Sequence, residues 1–339
     1  MRKFKKNIII VVLLLLIILV FTLKDDFYGI INALFNSNPL YILILIIVIL
    51  IGDFFKGCSF WVLIRKVKKD YKLIDSFLLI LRSEFFYGLT PFALGGQPYQ
   101  IYELKDKDDI SYSDGANIVF KDTYGYQLAL VTVSTIVLIL NQIFNIVTFD
   151  KVISKILLLG YFVNIVLVAV YEYLKYSKIK HDKIVGFFVT FFNKIKIVKD
   201  KEKTEYKINN ELNNIRLQLK ENDFNLVIKS YLFSILKIIM LGLAGYFSLK
   251  AININNIGII TAVFVIIFSV NISSFVPTPG YSGGMEYGFL TLFAIYATGA
   301  KLNAAMLLWR FTGFYLLTLN GALMIIIKDK LKKKEKNNE

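Results

Sequence analysis

A membrane-spanning helix needs about 20 consecutive, mostly apolar residues, and this 339-residue chain holds several stretches of that kind. Apolar runs lie at 8–23, 40–64, 112–140, 156–174, 226–249, 257–276 and 303–327. Two further apolar stretches, 73–104 and 276–298, are interrupted by Pro and Gly. In hydrocarbon every backbone N–H and C=O must be bonded internally, which helices achieve within one segment. The chain therefore reads as an all-α polytopic integral membrane protein. Composition agrees, with 56% hydrophobic residues and a mean hydropathy of +0.59.

Run 8–23 follows Arg2, Lys3, Lys5 and Lys6, as in a signal peptide. No small-residue cleavage site follows it, so 1–24 reads as an uncleaved anchor helix. Lys and Arg in short loops set orientation. Segment 65–72 carries five Lys/Arg against one Asp, 175–223 twelve against seven acids, and the tail from Lys328 six against three. Loops 24–39, 141–155 and 250–256 carry one, two and one. Both termini and the loops 65–72 and 175–225 are thus expected in the cytoplasm of a cell-membrane protein. About six full crossings satisfy this if each broken stretch enters and leaves on one side; eight helices is the alternative. The net charge of +15 then belongs to loops facing anionic lipid, not to a nucleic-acid surface. Segment 184–198 suits an interfacial helix, and Leu212, Ile215 and Leu219 form one apolar stripe, read as a surface-lying connector.

One cysteine, Cys58, and one histidine, His181, leave no disulfide, no Cys-based or two-His metal site and little basis for a His triad. There is no Walker A, G-x-S-x-G or H-E-x-x-H sequence. No catalytic residue, metal or cofactor is expected.

An internal repeat carries the argument. Thr90-Pro91-Phe92-Ala93-Leu94-Gly95-Gly96-Gln97-Pro98-Tyr99 matches Thr278-Pro279-Gly280-Tyr281-Ser282-Gly283-Gly284-Met285-Glu286-Tyr287 as T-P-x-x-x-G-G-x-x-Y, 188 positions apart. Without a gap, the same offset aligns 40–64 with 228–252 and 112–140 with 300–328. The parts are then repeat A (40–140), a linking helix with a cytoplasmic amphipathic segment (156–225), repeat B (228–328) and a basic tail (329–339), all in one membrane domain. Each repeat reads as helix, broken re-entrant hairpin, helix. Repeat A starts outside and repeat B inside, so they are inverted, as in many secondary transporters. Pro removes a donor and disfavours helix before it. Breaks at Pro91, Gly95 and Gly96, and at Pro277, Pro279, Gly280, Gly283 and Gly284, are tolerated at depth only in protein or beside a water-filled cavity. They point to a midplane site, where Gly→Ala at 95, 96, 283 and 284 is expected to spare folding and impair transport.

A charge at mid-bilayer costs about 2.5–3.5 kcal/mol on insertion scales. Asp53 and Lys56, three apart on one helix, can pair. Asp122 and Arg310 are repeat-equivalent and are expected to pair across the two-fold axis. Lys121, Lys229 and Lys237 also fall in apolar segments. Arg82 and Arg310 offer bidentate forks that fit phosphate or carboxylate. Glu84, Glu103 and Glu286 border the breaks and can meet a cationic headgroup or a coupling proton, or cap a half-helix. The candidate substrate-binding set is Arg82, Glu84, Gln97, Tyr99, Glu103, Glu286 and Arg310.

At these residues the sequence resembles the flippase-like transmembrane domain family, the membrane part of lysylphosphatidylglycerol synthase (multiple peptide resistance factor). The likeness rests on Leu89-Thr90-Pro91, Gly95-Gly96-Gln97-Pro98 and Tyr102-Glu103-Leu104. It continues in Pro277-Thr278-Pro279-Gly280, Gly283, Glu286, Leu308-Trp309-Arg310-Phe311, Tyr315 and Gly321. The resemblance implies movement of a lipid such as lysyl-phosphatidylglycerol between leaflets, with a role in lipid metabolism and resistance to cationic antimicrobial peptides. In the full synthase a soluble domain takes lysine from lysyl-tRNA; such a domain is not expected here. The expected partner is a membrane phospholipid, with a separate lipid-modifying synthase and self-association also open. The alternatives are a phosphatidylglycerol lysyltransferase, which would use tRNA, and a non-transporting partner in envelope glycolipid synthesis.

Overall fold

The computed structural model of the protein describes residues 26–176 and 223–338, with three isolated helical positions between them, Glu202, Tyr206 and Asn210. The anchor 1–24, the segment 184–198 and the stripe Leu212, Ile215 and Leu219 lie outside the described residues. The helices run α1 (Phe27–Phe35), α2 (Pro39–Ile64), α3 (Leu73–Leu89), α4 (Gly96–Asp108), α5 (Tyr112–Phe144), α6 (Lys151–Tyr176), α7 (Phe224–Ala251), α8 (Ile259–Ser273), α9 (Gly284–Phe293) and α10 (Gly299–Arg310). A π-helical turn, Phe311–Tyr315, joins α10 to α11 (Leu316–Asn338). Five stretches are long and apolar enough to cross a membrane: Pro39–Ile64, Tyr112–Phe144, Lys151–Tyr173, Phe224–Ala251 and Gly299–Lys328. The protein is a multi-pass membrane protein.

Local chemistry sets the helix starts. Asn38 caps α2 by accepting from the Leu40 amide at 3.0 Å, with Pro39 in the first turn where its missing N–H costs nothing. Ser111 caps α5 by accepting from Asp114 N at 3.0 Å. The short helix α1 occupies a stretch read from sequence only as loop. The apolar run 257–276 gives a helix of only 15 residues, about 22 Å long, against a hydrocarbon core of about 30 Å. The other hairpin arms, α3, α4 and α9, have 17, 13 and 10 residues. None matches the length of a full span, so the apolar stretches are broken rather than merely kinked.

The 188-residue offset holds element by element. It places α2 on α7, α3 on α8, α4 on α9, and α5 on α10 with α11. Gly96 and Gly284, repeat mates, each open a half-helix. Helices α2 and α7 pack side by side and antiparallel. The Asn38 amide donates to Ala251 O at one end (2.7 Å), and Lys66 meets Asp223 at the other (2.8 Å). A Cβ at Gly52 would lie 3.2 Å from Cβ of Met240, its own repeat mate. Pro91 and Pro279, also mates, form an isolated antiparallel bridge. A residue facing its own equivalent in antiparallel sense marks a two-fold axis. These two places put that axis through the α2–α7 seam and the tips of both breaks, and they define an inverted repeat. The halves also interlock: α3 packs on α11, and α8 packs on α5 and α6.

Candidate functional site

The two breaks are built as the same turn. In repeat A, Ala93 N donates to Thr90 O (3.1 Å) and Leu94 N to Pro91 O (3.4 Å). In repeat B, Tyr281 N donates to Thr278 O (3.2 Å) and Ser282 N to Pro279 O (3.1 Å). The left-handed pair follows suit, with φ of 53° and 50° at Phe92 and Ala93 and 57° at both Gly280 and Tyr281. The turns then diverge. Thr90 Oγ1 accepts from Gly95 N at 2.7 Å, and Gly95 has φ −71°. Gly283 has φ +89°, and its N–H donates to Glu286 Oε2 at 2.6 Å. Glu286 thereby caps the N-terminus of α9, where a carboxylate also complements the helix dipole.

The charges are paired, but not as the sequence suggested. Arg310 Nε donates to Glu286 Oε1 at 2.7 Å, and its terminal nitrogen donates to Gly280 O (3.1 Å) and Ser282 Oγ (3.0 Å). Its guanidinium also lies 4.4 Å from the Phe314 ring centre. Arg310 thus staples break B and does not meet Asp122. Asp122 instead takes Lys56 Nζ at 2.5 Å and the Ser59 hydroxyl at 2.6 Å. Asp53 takes Lys237 of α7, not Lys56. The expected Asp122–Arg310 and Asp53–Lys56 pairs are therefore corrected. Two-fold symmetry does place Asp122 and Arg310 at corresponding points. Corresponding points far from the axis do not touch, and nearer partners win. The three-residue spacing of Asp53 and Lys56 gave way to packing against α5 and α7, because a buried ion seeks whichever opposite charge the packing brings within reach.

In repeat A, Arg82 of α3 holds Glu103 of α4 through two hydrogen bonds, both residues being buried. Glu103 also meets Lys328 of α11 at 3.2 Å. Tyr99 stacks on Phe86, with ring centres 4.4 Å apart. Gln97 donates to Thr123 Oγ1 at 3.2 Å. Arg82, Glu103, Glu286 and Arg310 are thus committed to holding the hairpins on their neighbours. Of the charged candidates, Glu84 has no hydrogen bond or ion pair among the described residues.

Glycine at Gly96 and Gly280 is required by packing, and at Gly283 by its φ of +89° alone. A Cβ at Gly96 would lie 2.4 Å from the Tyr87 ring, and one at Gly280 would lie 2.0 Å from Phe314. Alanine at Gly96 therefore disturbs folding, contrary to the expectation from sequence.

The residues left partly exposed inside the bundle are Lys56, Glu84, Tyr87, Tyr126, Lys237 and Tyr281. They are electrostatic neighbours. Glu84 interacts with Asp53, Lys237 and Lys56, Tyr126 with Lys237 and Glu84, and Tyr87 with Asp122, Glu84 and Tyr281. They form one polar cluster that reaches the turn of break B through Tyr281. Lys56, Lys237 and Glu84 stand out in the sequence as intramembrane charges, and Tyr281 lies within the break motif. Tyr87 and Tyr126 carry no signal in a chain with 20 tyrosines. Among the described residues no group of three His, Cys, Asp or Glu could hold a metal.

Antiparallel repeats, paired broken hairpins and a polar cluster beside them define a membrane protein of inverted-repeat architecture. The chain belongs to the family described as the lysylphosphatidylglycerol synthase TM region, whose model matches residues 8–321. That assignment gives it a lipid-related function in the membrane. No curated protein matches the chain.

Proposed function

We propose that the protein is a lipid flippase, which moves a phospholipid headgroup between leaflets through a groove that this polar cluster would line beside the two breaks. The observation that carries this reading is the bridge between Pro91 and Pro279 next to partly exposed Lys56, Glu84 and Lys237. Moving a bare ion through hydrocarbon costs on the order of tens of kcal/mol in idealised solvation estimates. A groove with both charge signs replaces headgroup hydration while acyl chains stay in lipid. Lys56 and Lys237 suit a phosphate, and Glu84 suits an ammonium. Lysyl-phosphatidylglycerol carries both groups and is the cargo we infer from the family. Rocking of one repeat against the other about the shared axis would expose the groove to each leaflet in turn. The termini and the mouth of hairpin A would lie in the cytoplasm of a cell-membrane protein.

Reconstitution of the pure chain into liposomes tests this. Lysyl-phosphatidylglycerol loaded in one leaflet should become reactive to an impermeant amine reagent on the other side, faster than in protein-free vesicles. Equal rates refute the flippase reading and leave the partner role. Formation of lysyl-phosphatidylglycerol from lysyl-tRNA and phosphatidylglycerol would identify a transferase instead.

A further inference from the structure

In the cluster of Asp53, Lys56, Glu84, Asp122 and Lys237, charge is balanced except at one residue. Asp53 pairs with Lys237 and Asp122 with Lys56, which makes two neutral pairs. Glu84, in the middle of α3, is the odd charge of the five. It is partly exposed and has no hydrogen bond or ion pair among the described residues. Helix α3 packs against α2, which carries Asp53, and the two carboxylates are electrostatic neighbours. Asp53 is wholly buried, and while its Oδ1 takes the Lys237 ammonium, its Oδ2 has no hydrogen-bond partner. A buried carboxylate oxygen without a donor is costly, and such groups call for an explanation.

We propose that Glu84 and Asp53 form a site for one exchangeable proton, held as the Glu84 carboxyl O–H donating to Asp53 Oδ2. The proton is exchanged with water through the partly exposed Glu84, and only an O–H bond is made or broken. With the proton bound, Glu84, Asp53, Lys237, Asp122 and Lys56 sum to zero charge, and the orphan oxygen gains its donor. With the proton gone, the cluster carries one net negative charge, and two neighbouring carboxylates are both ionised. Neighbouring carboxylates commonly share a proton in this way. The groups around the site are Asp53 and Lys56 from α2, Tyr87 from α3, Asp122 and Tyr126 from α5, Lys237 from α7 and Tyr281 from break B. The charged ones pair with each other as Asp122–Lys56 and Asp53–Lys237, and none of them forms an ion pair with Glu84. Use of this proton to drive or gate lipid movement rests on the flippase reading; the proton site itself does not.

Infrared difference spectroscopy on the purified full chain in nanodiscs, titrated from acid to alkali, tests the site without moving any lipid. The wild type should show one titrating carboxyl C=O band of a buried acid, shifted in D2O, and Glu84→Gln should lose it. Glu84 makes no bond that this exchange breaks, so the variant should fold. Asp53→Asn combined with Lys237→Met removes the neighbour without stranding a charge. It should keep the band and move its midpoint by about one pH unit or more. A wild type without the band, or a Glu84→Gln protein that keeps it, overturns the proposal. An unmoved midpoint in the double variant overturns the shared proton. A band abolished by sodium at fixed pH assigns the site to a metal cation and also overturns it. A protein that fails to move lipid but shows the band refutes only the flippase reading.

Discussion

The breaks of repeats A and B share a backbone and differ in what holds them. Both turns follow a Thr-Pro pair, and both place two successive residues in the left-handed region. In repeat A those residues are Phe92 and Ala93, and in repeat B they are Gly280 and Tyr281. Break A is secured at a distance, by Arg82 and Lys328 converging on Glu103 in α4. Break B is secured on the turn itself, by Arg310 bound to Glu286, Gly280 O and Ser282. The π turn follows Arg310 directly, whereas the equivalent part of α5 is regular helix. The lesson is that the turn geometry is the repeated invariant, while the charges that fix it are free to differ.

The largest expected effect comes from the staples. Arg310→Met strands Glu286 beside the turn and should cost about 3–5 kcal/mol. Arg82→Met leaves Glu103 with Lys328 and should cost less, about 1.5–3 kcal/mol. Thermal unfolding of both variants in the same detergent orders them, and a reversed order would break the comparison. Adding Glu286→Gln to Arg310→Met should recover most of the loss. Asp122→Asn combined with Arg310→Met should be additive within about 0.5 kcal/mol, since the two share no partner. Asp122→Asn with Lys56→Met should not be additive.

The turns give the next effect, with opposite signs at neighbouring positions. Gly280→Ala puts a methyl into the Phe314 ring at a φ of +57°. The backbone alone costs about 1–2 kcal/mol, and the clash adds to it. Ala93→Gly relieves the same backbone conformation at φ 50°. After the extra chain entropy of glycine it should stabilise by about 0.5–1 kcal/mol. If Ala93→Gly destabilises as much as Gly280→Ala, the two turns are not equivalent under load.

Inversion itself is best read at the hairpin mouths, because the tips meet and do not discriminate sides. In a Cys58→Ser background, cysteines at Lys107 and Ile295 should react with an impermeant reagent from opposite sides of sealed vesicles. Labelling of both from one side would contradict the antiparallel repeats.

The smallest effect is at the rims. The mouth of hairpin A carries the ion pairs Lys68–Asp108, Lys105–Asp109 and Lys107–Asp75. The mouth of hairpin B uses amides, with Asn253 on Asn36 O and Asn256 on Tyr296 O. The hydrogen bond and charge of Lys105 hold the Asp109 carboxyl below its ordinary range. Any stability from that pair is present above the carboxylate's unfolded pKa and fades as pH falls through the lowered one. Both groups are exposed, so Lys105→Ala should leave thermal stability unchanged within error, and salt should loosen rim A more than rim B.

The sequence by itself determined the spans, the two breaks and their 188-residue register. Run length, Pro-imposed backbone and repeated spacing are local or additive properties, legible without contacts. The inversion was legible too, from Lys and Arg counts, and the antiparallel α2–α7 pair agrees with it. What only the tertiary structure decided was the partner of each charge. Asp53 meets Lys237 across 184 residues, Asp122 meets Lys56 across 66, and Arg310 meets Glu286 across 24. Each acid had several bases at plausible depth, and symmetry favoured a pair that never forms. In hydrocarbon an ion takes the nearest opposite charge that packing supplies. Packing is a property of the assembled helices, and so the solitude of Glu84 became visible only after its neighbours Asp53, Lys56, Asp122 and Lys237 had found their partners.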